Sequence, residues 1–543
     1  MNFSPNPLQG LHKRRHPPYN SIKRRSPPFT YMEGSSILSH LEANVSSSQL
    51  LMERPATTAP RVVERKSHPN ISLAVILTVQ LMLVLDVTVV NIALPQMQET
   101  LHFSQSNLSW VLNAYLLTFG GLLLLGGRMG DLFGRKRLFI GGVTLFFLAS
   151  LVGGLATSAG WLVAARAVQG IGAALAAPSA LALLMTSFPE GPQRNRALSY
   201  FTAVSSAGGS IGLILGGMLT AWVSWRWALF INVPIGIAVV LLAARFIEGT
   251  ARQRGRLDLA GALTSTLGMG TLVYAFIRAG SNGWNDAGTV WSIVLAAAIL
   301  ATFVLIETRH EQPVMPLHLL ASRSRVSAFV SVLFTVAAMY GGFFFLTQFL
   351  QRVMGFSPVV TGIAFLPMTL SIFTISRIVP RLIPRLGPRR ILIGGASLVA
   401  LATLWFTQIS ISSDYAPGIV VPMILLGVGV GSSFLPLSII VLSGVPGREA
   451  GAASGMLQTM QQVGGALGLS ILVTAFGTAT RAVPTHLLVG VAPAMRAELV
   501  FTHGLTSVFV LAAVFALLSL ANGLLVLRSP SRSEPATQVV LSE

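Results

Sequence analysis

The sequence predicts an all-α integral membrane protein of fourteen spans, built as two six-helix halves with two further helices inserted between them. Three observations predict it. Only 10% of the 543 residues are charged, 52% are hydrophobic, and the mean hydropathy is +0.70. A soluble domain carries about 25% charged residues and could not solvate its surface with so few. Basic residues alternate between successive loops, and one loop sequence recurs later in the chain. The composition excludes an intrinsically disordered chain and counts against a multi-domain cytosolic enzyme.

The net charge is +19. The basic residues lie between hydrophobic segments and form no single face, which argues against nucleic acid as a partner. There are no cysteines, so a disulfide framework, thiolate metal sites and a cysteine nucleophile are excluded.

Residues 1–70 hold Pro, Ser and two basic clusters, Lys13-Arg14-Arg15 and Lys23-Arg24-Arg25. They read as a disordered basic tail drawn to anionic lipid. Neither cluster precedes an apolar run of signal-peptide type. Met52 is a second possible start. A span needs roughly 20 mostly apolar residues. Candidate spans cover about 72–95, 109–127, 138–157, 161–185, 199–221 and 227–245, the six helices of a first half, 71–246. Two more, 258–277 and 289–306, fall in an insert, 247–310, and are the weakest as spans. The second half, 311–528, holds 326–350, 359–380, 391–409, 418–442, 455–477 and 505–527, and a short tail, 529–543, follows.

With the amino terminus in the cytoplasm, cytoplasmic loops and the C-terminal tail hold 21 Lys and Arg, and external loops hold 5. The positive-inside rule demands such a bias for an even number of spans with both ends inside. The repeat is Gly134-Arg135-Lys136-Arg137-Leu138-Phe139-Ile140-Gly141-Gly142, matched by Gly387-Pro388-Arg389-Arg390-Ile391-Leu392-Ile393-Gly394-Gly395. Arg128 and Arg381 keep the same offset. Each copy joins the second helix of a half to the third, the signature of two halves related by an axis along the membrane normal.

Asp86 is the only carboxylate placed deep inside a predicted span; Glu307 sits at a span end. A charge at the bilayer centre costs at least about 2.5–3.5 kcal/mol, and such residues usually face a cavity or mark an ion path. Burial favours the neutral form of a carboxylic acid and a nearby guanidinium favours the charged form. Arg166, near the start of span four, either snorkels to the surface or pairs with Asp86, and Gln169 lies one turn along the same face. Gly208, Gly212 and Gly216 repeat every four residues and line one helix face; Gly217 follows. Gln458, Gln461 and Gln462 in span thirteen contact substrate or bond across helices. Phe343, Phe344 and Phe345 line a pocket or pack the core. No histidine lies deep in a span, so no metal site is expected. No phosphate-binding loop of the Gly-Lys-Ser/Thr kind is present, so the chain lacks a nucleotide motor of its own.

The segment Gly127-Arg128-Met129-Gly130-Asp131-Leu132-Phe133-Gly134-Arg135-Lys136-Arg137 resembles the signature loop of the major facilitator superfamily, with Met129 where leucine is usual. Leu85-Asp86-Val87-Thr88-Val89-Val90-Asn91-Ile92-Ala93-Leu94-Pro95 resembles the first-helix motif of its fourteen-span drug:proton antiporters, the EmrB/QacA type. Arg166-Ala167-Val168-Gln169-Gly170 resembles the fourth-helix arginine motif, and Trp225-Arg226-Trp227 with Asn232 resembles the start of span six. Leu213 stands where the antiporter motif has proline.

The resemblance implies the major facilitator fold and export of amphipathic or cationic drugs by alternating access, with protons and a small-molecule substrate as partners. It implies no cofactor beyond a proton gradient. Asp86 and Arg166 become candidates for proton or cation coupling, and Asn91, Gln169 and Gln458 for the substrate cavity. Gly127, Asp131, Gly134, Arg135, Lys136 and Arg137 form a conformational loop, and Gly208, Gly212, Gly216 and Gly217 pack helices. The implied setting is a bacterial inner membrane with both termini cytoplasmic and a monomer as the working unit, with room for a periplasmic adaptor. The competing readings are proton-coupled uptake of a metabolite, a membrane-bound enzyme, which would want clustered His, Asp or Glu at one membrane face, and a channel.

Overall fold

The structure, a computed structural model, describes residues 69–249, 257–310, 313, 315, 317–446, 449–483 and 491–526. All but the end of the expected tail 1–70, with the Met1 or Met52 question, and the expected tail 529–543 lie outside the described residues.

The first half comprises α1 (Pro69–Leu101), α2 (Trp110–Phe133), α3 (Arg135–Gly154), α4 (Ala159–Ser187), α5 (Pro192–Trp222) and α6 (Trp227–Phe246). Helix α1 starts inside the expected tail because Pro69 sits at its first turn, where a missing N–H costs nothing. The inserted hairpin is α7 (Leu259–Asn282) and α8 (Ala287–Arg309). The second half begins with α9 (Arg323–Arg352).

Among the described residues thirteen helices are long and apolar enough to cross a membrane. One of them, Pro358–Phe406, runs for 49 residues. At 1.5 Å per residue that is about 74 Å, more than twice the ~30 Å hydrocarbon core. Gly387 breaks it, with φ 77° and ψ 156°, into α10 (358–386) and α11 (388–406). Helices α12 (Val420–Leu442), α13 (Ala450–Arg481) and α14 (Pro493–Leu525) complete fourteen apolar segments.

The halves repeat one packing scheme. In the first, α1 packs on α5 and α3 on α6; in the second, α9 packs on α13 and α11 on α14. The halves meet where α2 lies against α13 and α5 against α10. Helix α7 packs on both α2 and α13. Its partner α8 buries little and is among the most apolar of all. The weakness of the seventh and eighth spans is corrected for α8, whose apolar surface is exposed on nearly every side.

Small residues set the helix spacing. A Cβ on Gly212 would lie 2.0 Å from Thr88 Oγ1, and one on Gly216 would lie 2.7 Å from Val89 Cα. With Gly208 against Leu81 and Val84, this face brings α5 onto α1. Gly217, one residue on, points elsewhere: its Cβ would meet Pro358 O at 2.5 Å, so it seats α5 on the other half.

Candidate functional site: a buried ion pair behind a neutral cavity

Five helices of the first half converge on one carboxylate. Asp86 of α1 accepts a hydrogen bond at Oδ2 from Arg166 Nη1, 2.6 Å away. Its Oδ1 accepts from Gln169 Nε2 at 2.6 Å and from Asn232 Nδ2 at 3.1 Å. Both amides also donate to Ser150 Oγ on α3, at 2.6 and 3.1 Å. Arg166 Nη1 donates to Gln169 Oε1 at 2.6 Å, and its Nε donates to the Val111 carbonyl of α2 at 3.0 Å. Its guanidinium lies over the Tyr115 ring, 4.4 Å from the centroid. Asp86, Arg166 and Gln169 are each 1% exposed. A buried ion pair survives desolvation where its remaining lone pairs and protons find partners, and Gln169, Asn232 and the Val111 carbonyl supply them for all but Arg166 Nη2. Arg166 therefore does not snorkel.

A cavity of about 690 Å³ lies between the halves. Asn91, Tyr115, Tyr340, Phe343, Gln458 and Gln462 contribute to its wall. Among the described residues no charged side chain lines it. Its volume is in the range of drug-sized ligand sites. Asn91 and Gln458 both line this cavity. Gln169 does not. Its amide is turned away from the cavity and spent on Asp86, Arg166 and Ser150, so the cavity expectation for Gln169 is corrected. Phe343 lines the cavity, while Phe344 and Phe345 pack in the core.

The end that carries Gly134 and Gly387 holds a second cavity of about 630 Å³, lined by Gly127, Arg128, Asp131, Arg135 and Asp258 among others. Leu181, Ser454 and Gln458 line both spaces, so the two are neighbours. At the far end the halves interlock. Asn91 Nδ2 donates to Thr347 Oγ1 at 2.7 Å, Gln105 Nε2 to Gln348 Oε1 at 2.5 Å and Gln351 Nε2 to the Ile92 carbonyl at 3.0 Å. Arg352 donates to Gln98 and, at 3.1 Å, to Gln105. Contacts between the halves thus close the far end, and the central space adjoins the cavity at the end that bears the repeated loops.

In those loops Gly134 has φ 100°, a value that only glycine adopts without strain. Asp131 pairs with Arg135 at 3.1 Å. Lys136 Nζ donates to the Ala244 carbonyl at the end of α6, 2.8 Å away, and Arg137 is exposed.

Residues 76–469 match the family described as the Major Facilitator Superfamily. The chain belongs to that family. As a facilitator-superfamily member it is a multi-pass membrane transporter of small molecules. It is 40% identical over 452 residues to the cephamycin export protein CmcT of Amycolatopsis lactamdurans, covering 81% of this chain and 93% of that one. It is 42% identical over 415 residues to the puromycin resistance protein pur8 of Streptomyces alboniger, covering 76% and 82%. The facilitator fold is shared with the peptide transporter POT, at a TM-score of 0.59 with 13% identity, covering 83% of this chain and 94% of that one. It is shared as well with a bacterial homologue of the human lysosomal transporter Spinster in an inward-facing and occupied conformation, at 0.56 with 16% identity, covering 84% and 96%.

Sequence reasoning named Asp86 and Arg166 but left Ser150 and Tyr115 unremarked. Serine in an apolar helix is too common to stand out. Tyr115 carried a signal: an aromatic with a polar tip inside an apolar run wants a partner for both parts.

Proposed function

We propose that this transporter exports amphipathic, antibiotic-like molecules in exchange for protons. The observation that carries the reading is the separation of a neutral, drug-sized cavity from a buried carboxylate–guanidinium pair just behind its wall. The uncharged wall, with amides and aromatic rings, suits amphipathic molecules over strongly cationic ones. The named relatives, an exporter and a resistance protein, support the export direction.

In this reading the Gly134 end faces the cytoplasm, both termini are inside, and the closed end faces out. The setting is the cytoplasmic membrane, the proton gradient is the energy source, and one chain suffices because cavity and ion pair lie within it. A proton arriving on Asp86 removes the negative partner of Arg166. The first half then loses the Coulombic link that ties α1 to α4, and the two arrangements of the halves exchange stability. Substrate and proton leave on opposite sides.

The test is transport of puromycin in everted vesicles with an imposed proton gradient. Wild-type protein accumulates the drug and dissipates the gradient, while Asp86→Asn does neither. Gradient-driven accumulation by Asp86→Asn at the wild-type rate overturns the coupling role, and accumulation only in right-side-out vesicles overturns export.

A further inference from the structure

The cavity and the ion pair share no charged residue, so a signal between them must pass through a side chain that touches both. We propose that Tyr115 is that residue: it reads substrate from the cavity with its hydroxyl and passes the reading to Arg166 through its ring. The inference rests on the antiport reading for its purpose.

Three observations converge on Tyr115. Its side chain forms part of the cavity wall, yet it is only 1% exposed, so it closes the wall and does not project from it. Its ring lies 4.4 Å beneath the Arg166 guanidinium, whose Nη2 has no hydrogen-bond partner. Its hydroxyl is buried with no hydrogen-bond partner. An unsatisfied buried hydroxyl is costly, and a ligand that brings an acceptor relieves the cost. Asn91 Oδ1, on the same cavity, is likewise buried and without a partner. A ligand that displaces the wall enough to reach them would bring an acceptor for Tyr115 and a donor for Asn91, as an amide or a hydroxyl-bearing ring supplies.

The link to Arg166 is geometric. Val111, which accepts from Arg166 Nε, lies one turn before Tyr115 on α2. The backbone there cannot yield easily, because a Cβ on Gly170 of α4 would lie 2.5 Å from the Tyr115 carbonyl. A ligand that turns the ring must therefore change the ring's contact with the guanidinium. Cation–π attraction depends steeply on that placement, and Arg166 then holds Asp86 differently.

The experiment is a binding cycle on the purified full-length protein with puromycin as probe. Affinity is measured for wild type, Asp86→Asn, Tyr115→Leu and the double variant, with proton release recorded alongside. Tyr115→Phe serves as the variant that keeps the ring. The expected result is that Asp86→Asn changes puromycin affinity in the wild-type background and leaves it unchanged in Tyr115→Leu. Tyr115→Phe weakens binding about three- to tenfold, as loss of one hydrogen bond does, and keeps the response to Asp86→Asn. An equal response in both backgrounds overturns the relay, as does an absence of response in wild type. If the cycle behaves as expected while wild type releases no proton, the antiport reading falls and the relay stands. Failure of wild type to bind puromycin overturns the ligand chemistry assigned to Tyr115 and Asn91.

Discussion

Lys136 and Arg389 occupy the same place in the two halves. Lys136 Nζ donates to the Ala244 carbonyl near the end of α6, and Arg389 Nη2 donates at 2.7 Å to the Leu524 carbonyl at the end of α14. Both cap the last turn of the sixth helix of their own half, where exposed carbonyls and the helix dipole favour a cation. The repeat is thus a repeat of contacts as well as of letters. Gly134 and Gly387, both at positive φ, aim the two basic residues.

These caps are exposed and far apart in the chain, so Lys136→Gln and Arg389→Gln are each expected to cost about 0.3–1 kcal/mol. The double variant is expected to show the sum. Thermal unfolding in detergent checks both, and a large non-additive loss speaks against independent caps.

The ion pair makes an opposite prediction. Arg166→Ala strands the Asp86 carboxylate in a dry site, a change that typically costs about 3–5 kcal/mol. Asp86→Asn/Arg166→Gln removes both charges together and is expected to recover much of that loss. Unfolding temperatures in that order, with the double variant above Arg166→Ala, are the expected result.

Two neighbouring glycines give a clean packing test. A Cβ on Gly142 would sit 2.7 Å from the Ala176 amide nitrogen and 2.8 Å from the Gly172 carbonyl, while one on Gly141 meets nothing within 4 Å. Gly142→Ala is expected to cost about 1–3 kcal/mol by overpacking α3 against α4. Gly141→Ala is expected to be neutral or slightly stabilising. Folded yield on size exclusion separates them.

The far-end seal is open to crosslinking, because the chain has no native cysteine. Cysteines placed at Gln105 and Gln348, whose amides touch, are expected to be joined by a short bifunctional thiol reagent. Joining them should stop transport, and a reducible reagent should restore it on cleavage. Full transport by the joined protein would show that this end never opens.

At the tip of the inserted hairpin, a hydrogen bond from Arg278 holds the Asp286 carboxyl below the usual carboxylate range, with help from the Thr289 amide. A depressed folded value means that the contribution is present above the unfolded value, ~3.9, and lost as pH falls below it. Asp286→Asn should therefore narrow the difference between neutral and acid stability while leaving the acid end unchanged. The pair is only partly buried, so the effect is small and weakens with salt.

Fold and repeat were legible because their signals are local. Fourteen apolar runs, a glycine before a basic cluster and alternating loop charge need no knowledge of tertiary structure. Glycines at four-residue spacing announced a packing face on α5, but spacing names no partner. Only the fold shows that Gly216 meets α1 whereas Gly217 meets α10. The candidate site was half legible. Asp86 and Arg166 stand out as charges in apolar helices, but which way the Gln169 amide turns is decided by Asp86 and Ser150, on two other helices. The separation of α10 from α11 was legible in the repeated glycine, although a single glycine at positive φ divides them with no loop between.

The ion pair has an electrical consequence. With Asp86 ionised, the dyad in the first half sums to zero, and swinging that half through the bilayer moves no net charge. With one proton on Asp86, the same swing carries the uncompensated guanidinium. A full unit charge crossing the membrane potential is worth about 2.3 kcal/mol per 100 mV. In the proposed exchange the proton-bearing stroke is then voltage-sensitive and the stroke that carries an uncharged substrate is electrically silent, so a negative interior pulls on one direction of the rocking motion alone.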